Sequence, residues 1–384
     1  MRELAEDHLD WAWLLDTARP HGMLPLLHHH LRPIADGAVP APVRAALRRQ
    51  AEADARRTLR VASELVRLLD LFARDGVTAV PYKGPLLAVL CYADLALRPF
   101  RDLDFLVPPS ELARAEAVLA ADGYRPMHSL CQRQQAAVRE TTRESAFTRG
   151  DDIVELHYAF GPTYFPLALE VEDVFARLER IWIGGRSVAT LGGADLLLVL
   201  CAHGAKHQWE RLAWICDVAE LLRRAAGLDP EQVLARARPL GAERMTLLGL
   251  RLAQDLLDAP LPDTVARRAQ ADTAVARLAV QVQSALFRHT PGLPRDRAEL
   301  SPFHLRARER WRDRLRYCAR VALTPSTGDW AWLRLPDAVY PLYYVARPIR
   351  LAVKYGARLI RSACGGAACA MFCLCTQPSV HSPW

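Results

Sequence analysis

Lysine is nearly absent from this chain of 384 residues. Only Lys83, Lys206 and Lys354 occur among 50 basic side chains, and the other 47 are arginines. With alanine, leucine and proline also abundant, this bias indicates a bacterial genome of high GC content rather than selection for arginine chemistry. A lysine that is retained despite such a bias therefore marks a position whose function should be tested.

Long uncharged apolar runs are also lacking. No such run reaches the ~18 residues that a membrane-spanning helix needs, except the segment after Arg361, which is too poor in leucine, isoleucine and valine. The N-terminal sequence carries acidic residues where a signal peptide would carry basic ones. We therefore expect a cytoplasmic protein without a transmembrane segment.

The composition that is present is typical of a folded protein. Hydrophobic residues make up 51% of the chain and charged residues 24%, which excludes an intrinsically disordered chain. The formal net charge is +7. This positive charge suits an anionic partner such as a nucleotide, an RNA or a membrane surface, without choosing among them.

Hydrophobic periodicity divides the chain into four predicted regions. Residues 1–76 form an N-terminal helical region with one long helix over 41–74. Residues 77–192 alternate short strand and helix patterns and predict an α+β core. Residues 193–361 predict a C-terminal helical domain. The last region, 362–384, holds four cysteines whose spacing matches no standard zinc or iron–sulfur module, so a flexible tail is expected and a metal site is the alternative.

Two aspartates stand two positions apart in a predicted strand from Arg101 to Val107. Since successive side chains of a strand point to opposite faces, Asp102 and Asp104 leave the same face. Carboxylates that point the same way repel each other unless a cation lies between them, and Mg²⁺ prefers carboxylate oxygens together with phosphate and water. Glu155, an isolated acid in a later apolar strand, is a candidate third ligand. A chance pair on a solvated edge strand is the alternative.

These residues resemble the signature of the DNA polymerase β-like nucleotidyltransferase superfamily: a glycine turn after the first strand, an h-D-h-D-h strand (h apolar), and a third acid on a later strand. More closely, the chain resembles the bacterial family usually labelled "uncharacterised nucleotidyltransferase", whose members often sit among peptide natural-product genes. The matching segments are Tyr82–Ala88, Arg98–Val107, Val154–Tyr158 and His203–Leu212.

The resemblance implies an α+β fold with a polymerase β-like core, a mixed β-sheet with flanking helices, between the two helical regions. It implies an enzyme that moves a nucleoside monophosphate from an NTP to an acceptor and releases pyrophosphate. Asp102, Asp104 and Glu155 would be catalytic and would bind Mg²⁺ or Mn²⁺. The acceptor is an unidentified small molecule, peptide or RNA, and the family's gene context suggests peptide natural-product biosynthesis.

The same resemblance assigns nucleotide-binding residues near the first strand, which is predicted at Val77–Tyr82. Gly84 lets the backbone approach phosphate ahead of a helix N-terminus. Lys83 and Arg98 neutralise charge on the leaving pyrophosphate. The turn departs from the usual Gly-Ser, because Pro85 follows Gly84 and lacks an amide hydrogen.

The resemblance also implies a nucleotide-contacting helix beside the core, with Lys206, His203 and His207 as its contacts. Helix packing is the alternative, and the glutamate of an H-E-x-x-H zinc site is missing. His157 shares the strand face of Glu155 and is expected either to hydrogen-bond near the site or to be a buried structural histidine. Asp217 is expected to bind or orient basic side chains, with an ordinary salt bridge as the alternative.

Two other functions fit the sequence. A toxin-type tRNA nucleotidyltransferase would use the basic helices, above all residues 306–320 with seven arginines. A non-catalytic nucleotide- or peptide-binding protein would keep the fold, although retention of all three acids argues against it. A basic amphipathic segment at 346–361 also raises peripheral membrane contact as an alternative role.

Overall fold

A computed structural model describes residues 9–34, 38–128, 131–225, 227–288 and 300–363. The Cys-rich tail predicted for 362–384 lies outside the described residues from 364 onward. None of the described helices combines the length and the apolarity needed to span a bilayer.

Three helices open the described chain: α1 (Trp11–Ala18), α2 (Leu24–Leu31) and α3 (Ala41–Arg74). The long helix predicted over residues 41–74 is confirmed at both ends. Pro42 stands in its first turn, where a missing amide hydrogen breaks no helical bond. Gly76 follows the last turn with a φ of 64°, a left-handed conformation that lets the chain leave the helix.

A five-stranded mixed sheet has the strand order β1-β2-β5-β4-β3. Its strands are β1 (Val80–Pro81), β2 (Asp102–Leu106), β3 (Arg125–Pro126), β4 (Glu144–Arg149) and β5 (Asp152–His157). Strands β2 and β5 run parallel, and the other neighbours are antiparallel. The predicted α+β class with a mixed sheet and flanking helices is confirmed.

Shorter elements connect and extend this sheet. They are α4 (Gly84–Tyr92), a 3₁₀ turn (Pro109–Glu111), α5 (Leu112–Ala121), α6 (Gln132–Thr142), α7 (Val171–Phe175) and a separate hairpin of β6 (Glu179–Ile183) and β7 (Arg186–Thr190). Leu103 and Phe105 of β2 are buried in one apolar cluster with residues of α3 and α5. Because side chains alternate along a strand, the acids of β2 must point to the opposite face of the sheet.

The rest of the described chain is helical. The elements are α8 (Gly193–Lys206), α9 (Leu212–Arg224), α10 (Pro230–Leu240), α11 (Glu243–Leu257), α12 (Asp263–Ala271), α13 (Thr273–Leu286), α14 (Pro302–Ala307), α15 (Trp311–Leu323), α16 (Thr327–Trp332), a 3₁₀ turn (Asp337–Val339) and α17 (Leu342–Ala363). Helix α8 lies at the centre of this part, packed against α9 and α11. Its buried cluster includes Val80 and Leu106 from the sheet, so the acid-bearing face is the face toward α8.

Candidate active site

The three predicted acids lie side by side on two parallel strands. Asp104 of β2 is the register partner of Glu155 of β5, and Asp102 is the partner of Ile153. Since Leu103 and Phe105 are buried on the other face, Asp102 and Asp104 share the face of Glu155. The structure therefore brings together the carboxylates that the sequence pattern singled out.

Two basic side chains lie among these carboxylates. Lys83 Nζ is 2.8 Å from Asp104 Oδ1. His157 Nε2 is 3.0 Å from the same oxygen and 3.2 Å from Glu155 Oε2. Burial alone would lower the pKa of His157, but its hydrogen bonds to Asp104 and Glu155 raise that pKa to about 9. His157 is therefore an imidazolium at neutral pH, and with Lys83 it neutralises part of the acidic cluster.

The three carboxyl groups differ in their pKa. Burial and the charges of Asp104 and Glu155 raise the pKa of Asp102 to about 6. Burial also acts on Asp104, but Lys83 and His157 outweigh it and hold the pKa of Asp104 below its usual range. The pKa of Glu155 is likewise lowered, because its hydrogen bond with His157 outweighs burial. Among the three acids, Asp102 therefore has the negative charge that is least compensated by the protein's own cations.

The donor set fits a divalent cation. Asp104, Glu155 and His157 each offer one ligand atom, and these atoms lie within 4.8 Å of one another. Carboxylate oxygens suit Mg²⁺ and Mn²⁺, whereas an imidazole nitrogen suits Zn²⁺ or Fe²⁺ and must be neutral to bind. The carboxylate oxygens of Asp104 and Glu155 are therefore the donors of this group that suit Mg²⁺, and Asp102 shares their face of the sheet.

The glycine turn before α4 lies against the first residue of β2. Gly84 has a φ of 51°, and a Cβ placed on it would lie 3.2 Å from the carbonyl oxygen of Asp102. Only glycine takes this conformation and this close approach without strain. Pro85 falls in the first turn of α4, where its missing amide hydrogen is not needed by the helix. The turn thus lies beside the acids, with the Lys83 side chain directed to Asp104.

Arg98, which the sequence predicts as a phosphate contact, is engaged by Asp217 of α9. Its Nε and Nη2 donate hydrogen bonds of 2.8 and 2.9 Å to the two carboxylate oxygens of Asp217. The Tyr92 hydroxyl donates a third, at 3.0 Å. This pair agrees with both sequence-based interpretations of Asp217, a residue that orients a basic side chain and an ordinary salt bridge. The Arg98 guanidinium remains within electrostatic reach of Asp102.

The segment His203–Leu212 forms the end of α8 and a strained turn. Gln208 and Trp209 have φ values of 55° and 53°, in the left-handed region. This turn folds the Trp209 indole over Gly204, where a Cβ would lie 2.5 Å from the ring. Gly204 is therefore needed for packing, and the turn that it permits ends α8 next to the acid-bearing face of the sheet.

The three predicted nucleotide contacts at the C-terminal end of α8 lie in two settings. Lys206 Nζ is 3.8 Å from Glu144 Oε2. His203 and His207 pack against each other and against Trp214, with ring centroids 4.7 to 5.3 Å apart. Burial and the charge of Lys83 lower the pKa of His203 well below its usual value. His203 is therefore neutral, and the part of the chain that the structure describes places no acid or thiol with this pair as a metal-binding group.

Sequence reasoning missed Glu144. This residue opens β4 as the register partner of His157, and its Oε2 lies 3.6 Å from His157 Nδ1. Glu144 also faces Lys206, so it links the acid cluster to α8. The register of the β4–β5 hairpin places Glu144 directly opposite His157. This register was the signal that could have identified Glu144 as a residue of the site.

The paired carboxylates of β2 and β5 and the glycine turn beside them belong to the segments whose sequence resembles the nucleotidyltransferases, and a comparison with protein families identifies the class of protein. A sequence model of the family described as "Uncharacterised nucleotidyltransferase" matches residues 7–258, more than half of the chain. The chain therefore belongs to this family, and it is a nucleotidyltransferase, an enzyme that transfers a nucleoside monophosphate group. The family resemblance drawn from the sequence motifs is confirmed.

Among solved structures, the chain is similar to the crystal structure of ANT(2″)-Ia in complex with adenylyl-2″-tobramycin. The two share 13% sequence identity, and the TM-score is 0.34. The similar region covers 47% of this chain and 95% of that chain. The comparison with curated proteins gives no match.

Proposed function

We propose that the chain catalyses metal-dependent transfer of a nucleoside monophosphate from an NTP to an acceptor hydroxyl or phosphate, at Asp102, Asp104 and Glu155. One observation carries this proposal: Asp104 and Glu155 are register partners, which sets three carboxylates on one face beside the Gly84 turn. The family membership supports the reaction class.

The geometry supports a role for each of these residues. Asp102, Asp104 and Glu155 hold Mg²⁺ or Mn²⁺, which when bound neutralises phosphate charge and lowers the pKa of the attacking hydroxyl. Gly84 lets the backbone approach the phosphates at the N-terminus of α4. Lys83 pairs with Asp104, and in this proposal its side chain turns to the leaving pyrophosphate.

The α8 side of the site completes the proposed nucleotide contacts. Lys206 is partly exposed and pairs with Glu144 at 3.8 Å, which supports a role in binding a phosphate. His203 is neutral, His207 is partly exposed, and both rings lie beside Trp214. In this proposal their ring faces contact the nucleotide. Arg98 acts chiefly through Asp217, since that pair joins α4 and its following loop to α9.

Several finer predictions stand beside this proposal. They are a bacterial origin, a cytoplasmic location, a role in peptide natural-product biosynthesis, and the division of the chain after residues 76, 192 and 361. One buried cluster spans the predicted division after 192, because the core around α8 includes Tyr82 and Leu106. The sheet and α8 therefore build the proposed site together.

The experiment is pyrophosphate release from ATP, CTP, GTP and UTP with Mg²⁺ or Mn²⁺, with and without cell extract. We expect release from at least one NTP, dependent on the metal and lost in Asp102→Asn/Asp104→Asn. A matched control is Asp258→Asn/Asp263→Asn, which changes two exposed aspartates outside the site. If the Asp102/Asp104 double variant releases pyrophosphate at the wild-type rate, the assigned site is wrong.

A further inference from the structure

Helix α17 has an inverted distribution of polar and apolar side chains. Between residues 342 and 353 its two charged residues, Arg347 and Arg350, are buried, with 4% and 9% of their surface exposed. The exposed residues of this stretch carry no charge, and they are Leu342, Tyr344, Val345, Pro348, Ile349, Ala352 and Val353. A surface helix of a folded protein normally has its charged residues outside and its apolar residues inside. The outer face of α17 therefore has the composition of an interface.

A buried acid fixes this orientation of the helix. Asp329 of α16 is fully buried and accepts hydrogen bonds from Arg347 and Arg350. Arg347 also donates a hydrogen bond of 2.6 Å to the carbonyl oxygen of Val321 and one of 2.9 Å to the hydroxyl of Ser326. Separating the partners of a buried ion pair is strongly destabilising, because it leaves an uncompensated charge. The two arginines therefore hold the apolar face of α17 toward the solvent.

The exposed face of α17 is part of a wider concentration of apolar side chains. Its four aliphatic residues are 52 to 63% exposed and recur every three or four positions, on one side of the helix: Leu342, Val345, Ile349 and Val353. Among the described residues, eighteen large hydrophobic side chains are exposed, and twelve of them lie in the segment 300–353. Isolated exposed apolar residues are ordinary, whereas such a concentration marks an interaction site.

The same part of the chain carries the excess positive charge. Residues 300–363 contain thirteen basic and four acidic residues, and their net charge of +9 exceeds the +7 of the whole chain. Two of the four acids, Asp313 and Asp329, are buried. Arg310 and Arg314 bond to backbone carbonyl oxygens, which do not cancel their charge. Exposed arginines stand at positions 306, 310, 312, 314, 316 and 334. This part of the chain therefore attracts an anionic partner.

Apolar exposure and positive charge together favour one kind of partner. A second copy of this chain would bring a second segment of charge +9, which repels the first. An RNA would pair with the arginines but would leave the apolar face of α17 in water. A bilayer with anionic headgroups takes up both features, because apolar side chains enter the boundary between headgroups and acyl chains while arginines pair with the headgroups.

We propose that the outer face of α17 binds the surface of a lipid bilayer that contains anionic headgroups. The helix lies along the bilayer, since no described helix is long and apolar enough to cross it. Helices α14 to α17 come after residue 258, where the family match ends. The membrane surface is thus a feature of this chain beyond the part that the family model covers, and it does not depend on the proposed function.

The experiment is sedimentation of the full chain with vesicles of phosphatidylcholine alone, or of phosphatidylcholine with about 30% phosphatidylglycerol. We expect binding to the anionic vesicles, at least ~5-fold weaker binding to the neutral ones, and a decrease as salt is added. Val345→Asp/Ile349→Asp should weaken binding to the anionic vesicles by ~10-fold or more, because carboxylates replace the apolar side chains that enter the bilayer surface.

The matched control is Leu59→Asp/Val280→Asp, on α3 and α13. These two side chains are 58% and 62% exposed, close to the 62% and 54% of Val345 and Ile349. The control should bind the anionic vesicles as the wild type does. Both double variants should keep the wild-type circular dichroism spectrum, because the changed side chains are exposed.

Equal binding to neutral and anionic vesicles, or binding to neither, overturns the proposal. Undiminished binding by Val345→Asp/Ile349→Asp, or an equal loss in the control, removes α17 from the binding surface. Two other occupants are tested with the same proteins. Binding to total tRNA without binding to vesicles assigns the surface to RNA, and a dimer that Val345→Asp/Ile349→Asp converts to a monomer, without vesicle binding, assigns it to a second copy of the chain.

Discussion

Lys83 Nζ lies 2.8 Å from Asp104 Oδ1, the carboxylate oxygen that also faces His157. A cation of the protein therefore lies where a divalent metal would approach Asp104. Lys83 is one of only three lysines in the chain, and in the proposed function it balances Asp104 before the metal binds and contacts phosphate afterwards.

Removing this lysine should strengthen metal binding while slowing the reaction. At 4 Å two unit charges interact by about 1 kcal/mol in water and more in a protein site, so Lys83→Met should bind Mn²⁺ at least ~5-fold more tightly. Pyrophosphate release should fall, since the cation facing the leaving group is gone. Calorimetric titration with Mn²⁺ measures the first effect, and Lys354→Met is the control. Weaker Mn²⁺ binding in Lys83→Met would contradict competition at Asp104.

His157 should make the stability of the metal-free protein depend on pH. Its pKa is about 9 in the folded protein and about 6.5 in an unfolded chain. A raised pKa means that its contribution to the free energy of unfolding is complete below pH 6.5 and is lost as pH rises through 9. Urea denaturation in EDTA at pH 6.5, 7.5 and 9 should show this decrease in wild type.

The variant His157→Gln should lose most of that decrease, because glutamine does not titrate. The control is His29→Gln, a change of an exposed histidine, which should keep the wild-type decrease in stability as pH rises. An equal pH dependence in His157→Gln and wild type would show that His157 is not the group responsible.

The Arg98–Asp217 pair should be a stability determinant. Both side chains are largely buried, and removing one partner of a buried pair typically costs about 3–5 kcal/mol. Asp217→Leu should therefore lower the free energy of unfolding by that amount in chemical denaturation. The double variant Arg98→Leu/Asp217→Leu should recover part of the loss, because no unpaired charge stays buried. A loss below about 1 kcal/mol in Asp217→Leu would argue against this account.

Gly204 should tolerate no side chain. A Cβ there would lie 2.5 Å from the Trp209 ring, and overpacking a core typically costs about 1–3 kcal/mol. Gly204→Ala should show this loss in urea denaturation. Gly193→Ala, in the first turn of the same helix, meets its nearest atom at 3.7 Å and is the matched control. If Gly204→Ala and Gly193→Ala were equally stable, the turn after α8 would accommodate the added methyl group without a loss of stability.

Local sequence signals predict those elements whose pattern is strong. The bounds of α3 and the start of α4 are predicted because prolines and the Asp75-Gly76 pair stand at these positions. The shared face of Asp102 and Asp104 follows from strand parity alone. The first strand is shorter than Val77–Tyr82, since only Val80 and Pro81 pair with β2.

Contacts between distant segments are not predicted by such signals. The Arg98–Asp217 bond joins residues 119 positions apart, and the contact of His304 with Lys206 joins residues 98 positions apart. Glu144 becomes part of the site only once the register of the β4–β5 hairpin is known. The sequence motifs therefore identify the acids, whereas the residues that pair with these acids or lie around them are brought together only by tertiary packing.

The most direct test of the central claim is pyrophosphate release by Glu155→Gln under saturating Mg²⁺ and NTP. Glu155 is the acid that only strand pairing brings to Asp104, and Glu179→Gln, an exposed glutamate of β6, is the matched control. We predict that Glu155→Gln loses activity by on the order of 10²-fold or more, while Glu179→Gln keeps the wild-type rate. Wild-type activity in Glu155→Gln would contradict a catalytic site built on the paired carboxylates of β2 and β5.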